Sequence, residues 1–186
     1  MNPTLNKKDF DELTTNLKDL AYGYIEKYNP SRQQLKIYLL KKYLKKFSST
    51  KLKKDITQLI DEILNNLEKN KFLNDELYSD SRARVLLRRG YSLNKINQSL
   101  RFKGIKSEFI KKSLSKIKEK TIEPDFVSSL RLCKKRRIGP SRPQSNRDLF
   151  YKKDMGILAR AGFSYDLSKR VLDLEKKEFE NLLKII

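Results

Sequence analysis

One turn motif occurs three times in this chain, and such repetition strongly constrains the fold. The copies read Tyr-Asn-Pro-Ser, Arg-Gly-Tyr-Ser and Ala-Gly-Phe-Ser, and they end at Ser31, Ser92 and Ser164. Each copy holds a helix-ending residue before its serine, because proline cannot continue a helix and glycine accepts the left-handed cap. Serine then caps the helix that follows. We therefore predict a helix on both sides of each turn.

Apolar residues around the three turns recur at helical spacing. The positions six residues before and eight residues after each serine are apolar in all copies: Ile25, Leu86 and Leu158, then Leu39, Leu100 and Leu172. No stretch alternates convincingly at the period of a β-strand. The pattern predicts an all-α protein, with a third helix after each pair near residues 50–69, 107–119 and 176–186.

The repetition predicts three tandem three-helix units of helix-turn-helix type, over residues 1–69, 70–120 and 121–186. Units of this kind stack side by side and complete each other's cores. The first two serines lie 61 residues apart and the last two lie 72 apart, so an insertion is expected ahead of the third turn.

The charge balance points to an anionic partner. The chain of 186 residues has 43 Lys and Arg against 23 Asp and Glu, a net charge of +20. Such an excess speeds encounters with polyanions, nucleic acid foremost, and a membrane surface or an acidic protein are the alternatives. Part of the lysine excess is also consistent with an AT-rich genome.

The composition argues against catalysis and cofactors. With no histidine and a single cysteine, Cys133, the chain offers no His-based triad, zinc site or internal disulfide. No apolar run approaches the ~18 residues of a membrane span, and the N-terminus lacks a signal-peptide core. We expect a monomeric cytoplasmic protein with no catalytic, metal or cofactor residues and no membrane contact.

Three basic tracts stand out, at residues 36–54, 101–120 and 131–147. The third is rich in arginine, whose fork suits phosphate and carboxylate groups. Gly139, Pro140 and Pro143 prevent a regular helix through its middle. We interpret the segment near 138–146 as a mobile basic loop that contacts DNA or acidic protein. A solvated linker is the competing interpretation.

The second and third turns lie in segments that resemble the bacterial RecX family. The segment from Phe72 to Ile105, FLNDELYSDSRARVLLRRGYSLNKINQSLRFKGI, has the family's entry, turn and closing motifs. The segment from Leu158 to Leu172 is similar to its third repeat, although Ala161 replaces a customary arginine and Ser168 a customary apolar residue. The resemblance covers nearly the whole chain from about Leu17.

The resemblance implies three helical repeats in an elongated, curved molecule. It also implies a non-catalytic modulator that engages the filament of the RecA recombinase on DNA and restrains its strand exchange and ATP turnover. Together with the charge, it predicts DNA binding to single or double strands without sequence specificity. The candidate contacts to DNA or RecA are Arg82, Arg88, Arg89, Arg101, Lys103, Arg131, Lys134, Lys135, Arg136, Arg137, Arg142 and Arg147.

Two other functions remain open from the residues alone. A helix-turn-helix transcriptional regulator would read bases from a helix after one of the turns, where Asn94, Asn97 and Gln98 come closest to base-reading side chains. A metal nuclease would use carboxylates such as Asp75 and Asp80. These acids stand where a helix begins, however, and a role at the helix N-terminus suits them better.

Overall fold

The structure, a computed structural model, describes residues 7–43 and 50–185, and the side chains of residues 10–43 and 52–185. Ten α-helices occur in this part of the chain, and the all-α prediction is confirmed. In chain order they are α1 (Lys7–Tyr28), α2 (Arg32–Tyr43), α3 (Thr50–Lys69), α4 (Asp75–Arg88), α5 (Leu93–Phe102), α6 (Ser107–Lys120), α7 (Pro124–Arg136), α8 (Arg147–Arg160), α9 (Tyr165–Leu172) and α10 (Lys176–Ile185).

The three serine turns have the predicted chemistry. Gly90 and Gly162 take positive φ angles of 88° and 95°. The hydroxyl oxygens of Ser31, Ser92 and Ser164 each accept a hydrogen bond from the backbone N–H three residues on, at 3.3, 3.1 and 3.3 Å. These bonds satisfy N–H groups that a helix leaves unpaired at its start.

The described residues divide into two compact units. The first comprises Met1–Tyr78 and Lys103–Lys106. Its core is formed where α1, α2 and α3 pack together, and the fully buried side chains at its centre are Leu17, Leu35, Leu39, Ile56, Ile60 and Leu64. The apolar stripes read from the sequence therefore face this core.

The second unit comprises Ser79–Phe102 and Ser107–Ile186. Helix α9 packs against α7 and α8, and short 3-10 turns at Gly139–Ser141 and Gln144–Asn146 join α7 to α8. Leu130, Ile138 and Leu158 lie at the centre of the core of these helices. The insertion expected ahead of the third turn is thus the region that contains α7 and the 3-10 turns. The division into three repeats at 1–69, 70–120 and 121–186 stays a prediction.

The expectation of a mobile loop or solvated linker near residues 138–146 is wrong for residues 138–140. Ile138, Gly139 and Pro140 are buried, and the Gly139 N–H donates to the carboxylate of Asp154 at 2.8 Å. The segment is not a regular helix, as predicted; its first three residues are buried in the second unit, and residues 143–146 are exposed. A chain without helical periodicity can still bury its backbone when a side chain satisfies its polar groups.

No helix within the described part of the chain is long and apolar enough to cross a membrane. Across the same residues, no group of three or more His, Cys, Asp and Glu side chains is placed to hold a metal ion.

Candidate nucleic-acid interface

A cationic groove opens in the second unit where three helices end. The last turn of α7 and the ends of α4 and α8 surround a cavity of about 660 Å³. Its lining residues are Arg89, Tyr91, Leu132, Lys135, Arg136, Ile157, Arg160 and Ala161. We call this feature the basic groove.

The turn after α4 holds two walls of the basic groove together by its contacts with α7. The hydroxyl of Ser128, on α7, lies 3.0 Å from the carbonyl oxygen of Leu87 and 2.9 Å from that of Tyr91. Gly90 lies so close to α7 that a Cβ there would fall 2.7 Å from the Cβ of Leu132. A side chain at position 90 would push the two walls apart, so glycine is required for contact as well as for its positive φ.

The opposite wall is fixed by the third turn. The Ser92 hydroxyl donates to the carbonyl oxygen of Gly162 at 2.7 Å, and the Ser92 N–H donates to that of Ala161 at 3.1 Å. The Leu93 N–H donates to the carboxylate of Asp125 at 2.7 Å. The turns around Ser92 and Gly162 are therefore locked together, and Arg160 is presented from the end of α8.

Among the residues that the structure describes, four cations and no carboxylate line the basic groove. Arg89, Lys135, Arg136 and Arg160 are exposed, and none of them forms an ion pair with a carboxylate in the described ranges. Guanidinium and ammonium groups bind phosphate and carboxylate oxygens through charge-assisted hydrogen bonds. The groove is thus chemically suited to an anion, and its apolar floor of Leu132 and Ile157 suits a ligand that also has an apolar part.

A second cavity of about 570 Å³ adjoins the basic groove and shares Arg160 with it. Asn94, Lys95 and Gln98, from the first two turns of α5, line this cavity together with Gly162 and Phe163. The amide side chains can donate and accept hydrogen bonds, so the surface beyond Arg160 is polar and carries one further cation.

The structure brings only three of the twelve predicted contact residues into the basic groove, namely Arg89, Lys135 and Arg136. Six others lie elsewhere. Arg82 is half-buried, and its Nε has no hydrogen-bond partner among the described residues. Arg101 donates a hydrogen bond to Asn97 at 3.1 Å. The remaining four of these six are exposed or half-buried outside the groove: Arg88, Lys103, Arg131 and Lys134. Arg137 is exposed and caps α7 in the left-handed conformation.

Arg142 and Arg147 have structural contacts that the sequence did not reveal. Arg142 forms an ion pair with Asp154, and Arg147 donates to the carbonyl oxygen of Leu174 at 2.7 Å, just past the end of α9. The Asp154 hydrogen bond raises the pKa of Arg142. These two side chains are occupied within the second unit, which leaves Lys134, Lys135, Arg136 and Arg137 as the exposed cations of the 131–147 tract.

Sequence reasoning missed Arg160, although a signal for it was present. Measured back from the serine of each turn, the fourth position is basic in all three copies: Lys27, Arg88 and Arg160. A cation in the last turn of a helix also interacts favourably with the helix dipole. Part of the first basic tract, residues 44–51, lies outside the residues whose side chains are described.

The carboxylates considered for a nuclease have other contacts. Asp75 accepts the backbone N–H of Arg32 at 2.8 Å, and burial raises its pKa against the opposing effect of Arg32. Burial would likewise raise the pKa of Asp80, but hydrogen bonds from Lys116 and Ser113 outweigh it and lower the pKa. Asp75 thus serves the start of α2, and Asp80, in the second turn of α4, pairs with side chains of α6. Both acids have structural contacts, but with other helices than the one whose start was predicted.

Helices joined by the same serine-capped turn, with a cation-lined groove in one unit, define a protein of the helical-repeat class. A family sequence model described as RecX, second three-helix domain, matches residues 74–114. A regulatory protein RecX from Myxococcus xanthus is 32% identical over 162 residues, which cover 86% of this chain and 85% of that relative. The chain therefore belongs to the RecX family of regulatory proteins.

Two further comparisons agree with this assignment. A regulatory protein RecX from Agrobacterium fabrum is 27% identical over 113 residues, covering 61% of this chain and 58% of that relative. A crystal structure of a regulatory protein RecX superposes with a TM-score of 0.55 at 22% identity, covering 92% of this chain and 80% of that one. At this identity the structural likeness supports the fold alone.

Proposed function

We propose that this protein is a non-catalytic modulator of RecA that binds the RecA–DNA filament and restrains its strand exchange and ATP turnover. Its contact with DNA is driven by charge and is independent of base sequence. It acts in the cytoplasm as a monomer, in recombinational DNA repair and the SOS response. Membership of the RecX family supports the regulatory part of the proposal.

The observation that carries the proposal is the basic groove. A helix dipole accounts for a cation at the end of any one helix, worth roughly 0.3–1 kcal/mol. It does not account for three helix ends that meet around one cavity and give it four cations and no carboxylate. Like charges held together repel, and an anionic ligand removes that repulsion. A nucleic-acid backbone or an acidic face of the filament is such a ligand.

The alternative of a sequence-reading transcriptional regulator depends on what the starts of α2 and α5 present to a partner. Recognition helices of that class present their N-terminal residues to base edges in the major groove. At the start of α5, Ser92 is fully buried and the Leu93 N–H is bound to Asp125, whereas Asn94, Lys95 and Gln98 are exposed. The start of α2 is similarly engaged, since the Arg32 N–H is bound to Asp75 and its side chain donates to Glu68.

The proposal is tested by the steady-state ATPase of RecA on single-stranded DNA, with this protein added at sub-stoichiometric ratios. We expect turnover to fall, because one modulator bound to a filament affects many RecA subunits. If RecA filaments are shown to assemble on the DNA and ATP turnover stays unchanged at every ratio, the proposal is contradicted. The protein alone is expected to hydrolyse neither ATP nor DNA.

DNA binding is tested separately by titration with salt. If about six phosphates are neutralised, the slope of log affinity against log salt should be near −4 to −5, depending on whether the DNA is single- or double-stranded. A flat response would refute binding by charge. A preference of about a thousandfold for one sequence would favour the transcriptional regulator instead.

A further inference from the structure

The first unit carries three tyrosine rings in series on the surface of α1 and α2. The rings of Tyr24 and Tyr38 stack with centroids 4.1 Å apart and an angle of 17° between their planes. Tyr28 continues the series, with its centroid 4.7 Å from that of Tyr24 and its plane tilted by 46°. We call this feature the tyrosine ladder.

The tyrosine ladder runs from the core to the solvent. Tyr24 and Tyr38 are half-buried and pack against the core of the first unit, which explains their presence. Tyr28 lies outside that core, and its side chain is 57% exposed. Packing therefore explains the inner two rings and leaves more than half of the outer residue, Tyr28, exposed to water.

Two lysines flank the tyrosine ladder. The Nζ of Lys27 lies 5.3 Å from the centroid of Tyr28, and the Nζ of Lys42 lies 5.9 Å from that of Tyr38. Neither ammonium forms an ion pair with a carboxylate in the described ranges, and α2 contains no acidic residue. The ladder thus has one uncompensated cation over the exposed ring of Tyr28 and a second over the half-buried ring of Tyr38.

An exposed aromatic ring with cations beside it has the chemistry of a single-strand binding platform. Unpaired bases stack on aromatic side chains, while lysines contact the phosphates that connect them. A duplex cannot use such a platform in the same way, because its bases are already stacked inside the helix. An acidic protein surface would use the lysines but gain little from the ring.

We propose that the tyrosine ladder is a contact site for single-stranded nucleic acid, where a base stacks on Tyr28 and the neighbouring phosphates are bound by Lys27 and Lys42. This inference rests on the DNA binding proposed above and deepens it. It gives the first unit its own contact with the strand, of a different chemical kind from that of the basic groove.

The test compares Tyr28→Leu with Tyr22→Leu in binding to a labelled oligothymidylate, measured by fluorescence anisotropy at several salt concentrations. Tyr22 is a matched control, because it lies on the same helix, is 44% exposed and contacts Phe72 edge-on at 5.3 Å. We expect Tyr28→Leu to weaken binding about tenfold, the range of one stacked base. Its salt slope should match that of the wild type, because no charge is removed. Tyr28→Phe should bind like the wild type.

Cross-linking of the wild-type protein to a strand that contains iodouracil bases provides a second measurement. It does not depend on the folding of any variant. Irradiation should cross-link the strand to the peptide that contains Tyr28. A duplex, or an abasic strand of equal length, should show no difference between wild type and Tyr28→Leu.

The outcomes separate this inference from the proposed function. Equal affinities of Tyr28→Leu and Tyr22→Leu for the strand would overturn the stacking site and leave DNA binding intact. Weaker binding to the RecA filament without weaker binding to the bare strand would also overturn it, since Tyr28 would then contact protein. Failure of the wild type to bind any DNA would refute the DNA-binding part of the proposed function and this inference with it.

Discussion

Arg142 holds the buried carboxylate of Asp154 with two hydrogen bonds, from Nε to Oδ2 at 2.7 Å and from Nη2 to Oδ1 at 2.8 Å. Asp154 is 1% exposed, and its Oδ2 also accepts the Gly139 N–H. The guanidinium carbon of Arg142 also lies 4.4 Å from the centroid of the Phe150 ring. This pair fastens the non-helical segment between α7 and α8 to the core of the second unit.

Arg142→Ser should therefore destabilise the protein. Removal of one partner leaves the Asp154 charge buried and unpaired, which typically costs about 3–5 kcal/mol. Arg136→Ser and Arg137→Ser are controls from the same tract, and both side chains are exposed, so each should change the free energy of unfolding by less than about 0.5 kcal/mol. Urea denaturation, monitored by circular dichroism, gives these free energies of unfolding. Equal effects of all three changes would show that the ion pair is not structural.

The stability of the second unit should depend on the ionisation of Asp80. Its carboxylate accepts the Ser113 hydroxyl at 2.6 Å and pairs with Lys116, and its pKa is lowered in the folded protein. The unfolded chain, with an Asp pKa of about 3.9, takes up the proton first. The contribution of the Asp80 carboxylate to the free energy of unfolding is therefore complete above the unfolded-state pKa. It is lost as the pH falls through the lower pKa of the folded state.

Asp80→Asn tests this linkage. The variant should be less stable near neutral pH, by about 1 kcal/mol, and its free energy of unfolding should fall less steeply than that of the wild type below about pH 4. Urea denaturation across that range measures both quantities. If the free energy of unfolding depends on pH in the same way for wild type and variant, the contacts of Asp80 do not stabilise its charged form.

Gly162→Ala should loosen the turn that presents Arg160. Gly162 has a φ of +95°, and a Cβ there would meet the Ser92 hydroxyl at 2.4 Å, so we expect a loss of more than about 1 kcal/mol. Gly23→Ala is the control, because α1 is helical at this point and, beyond the backbone of that helix, no atom of the described residues lies within 4 Å of a Cβ there. That change should stabilise by roughly 0.5–1 kcal/mol. If Gly162→Ala and Gly23→Ala shift the melting temperature in the same direction, the described geometry of the turn at Gly162 is contradicted.

The thiol of Cys133 should report on opening of the second unit. The side chain is fully buried, and burial, with a smaller effect of Asp154, raises its pKa to about 12. A protonated, enclosed thiol is a poor nucleophile. Iodoacetamide should leave the native protein unmodified at neutral pH and label it in urea, as mass spectrometry will detect. Rapid labelling of the native protein would place Cys133 at the surface.

The periodicity of the sequence predicted the helices and their caps because both depend on local chemistry. The caps at Ser31, Ser92 and Ser164 and the burial of Leu39, Leu100 and Leu172 follow from spacing alone. Those predictions required only neighbours within two helical turns of each other.

Contacts between distant segments could not be predicted in this way. Nothing near Arg142 in the sequence indicates that Asp154 is buried and needs a partner, and the arginine was therefore assigned to a loop. Arg160 was missed because the basic groove exists only where the ends of α4, α7 and α8 meet. The position of Asp125, whose carboxylate accepts the Leu93 N–H, likewise depends on how α7 packs.

The central claim, that the basic groove makes the contact which restrains RecA, is tested most directly by a pair of charge-matched variants. One carries Arg89→Ser, Lys135→Ser and Arg136→Ser in the groove. The other carries Lys118→Ser, Lys176→Ser and Lys177→Ser, three exposed lysines of the second unit outside it. Both lose three positive charges. The measurement is the concentration of each variant that halves the RecA ATPase on single-stranded DNA.

We predict that the groove variant requires a much higher concentration, with a shallower salt dependence, while the control behaves nearly as the wild type does. Both variants should retain the wild-type melting temperature, since all six side chains are exposed. Equal concentrations for the two variants would contradict the account, because the overall positive field would then explain the effect and the groove would have no special part in it.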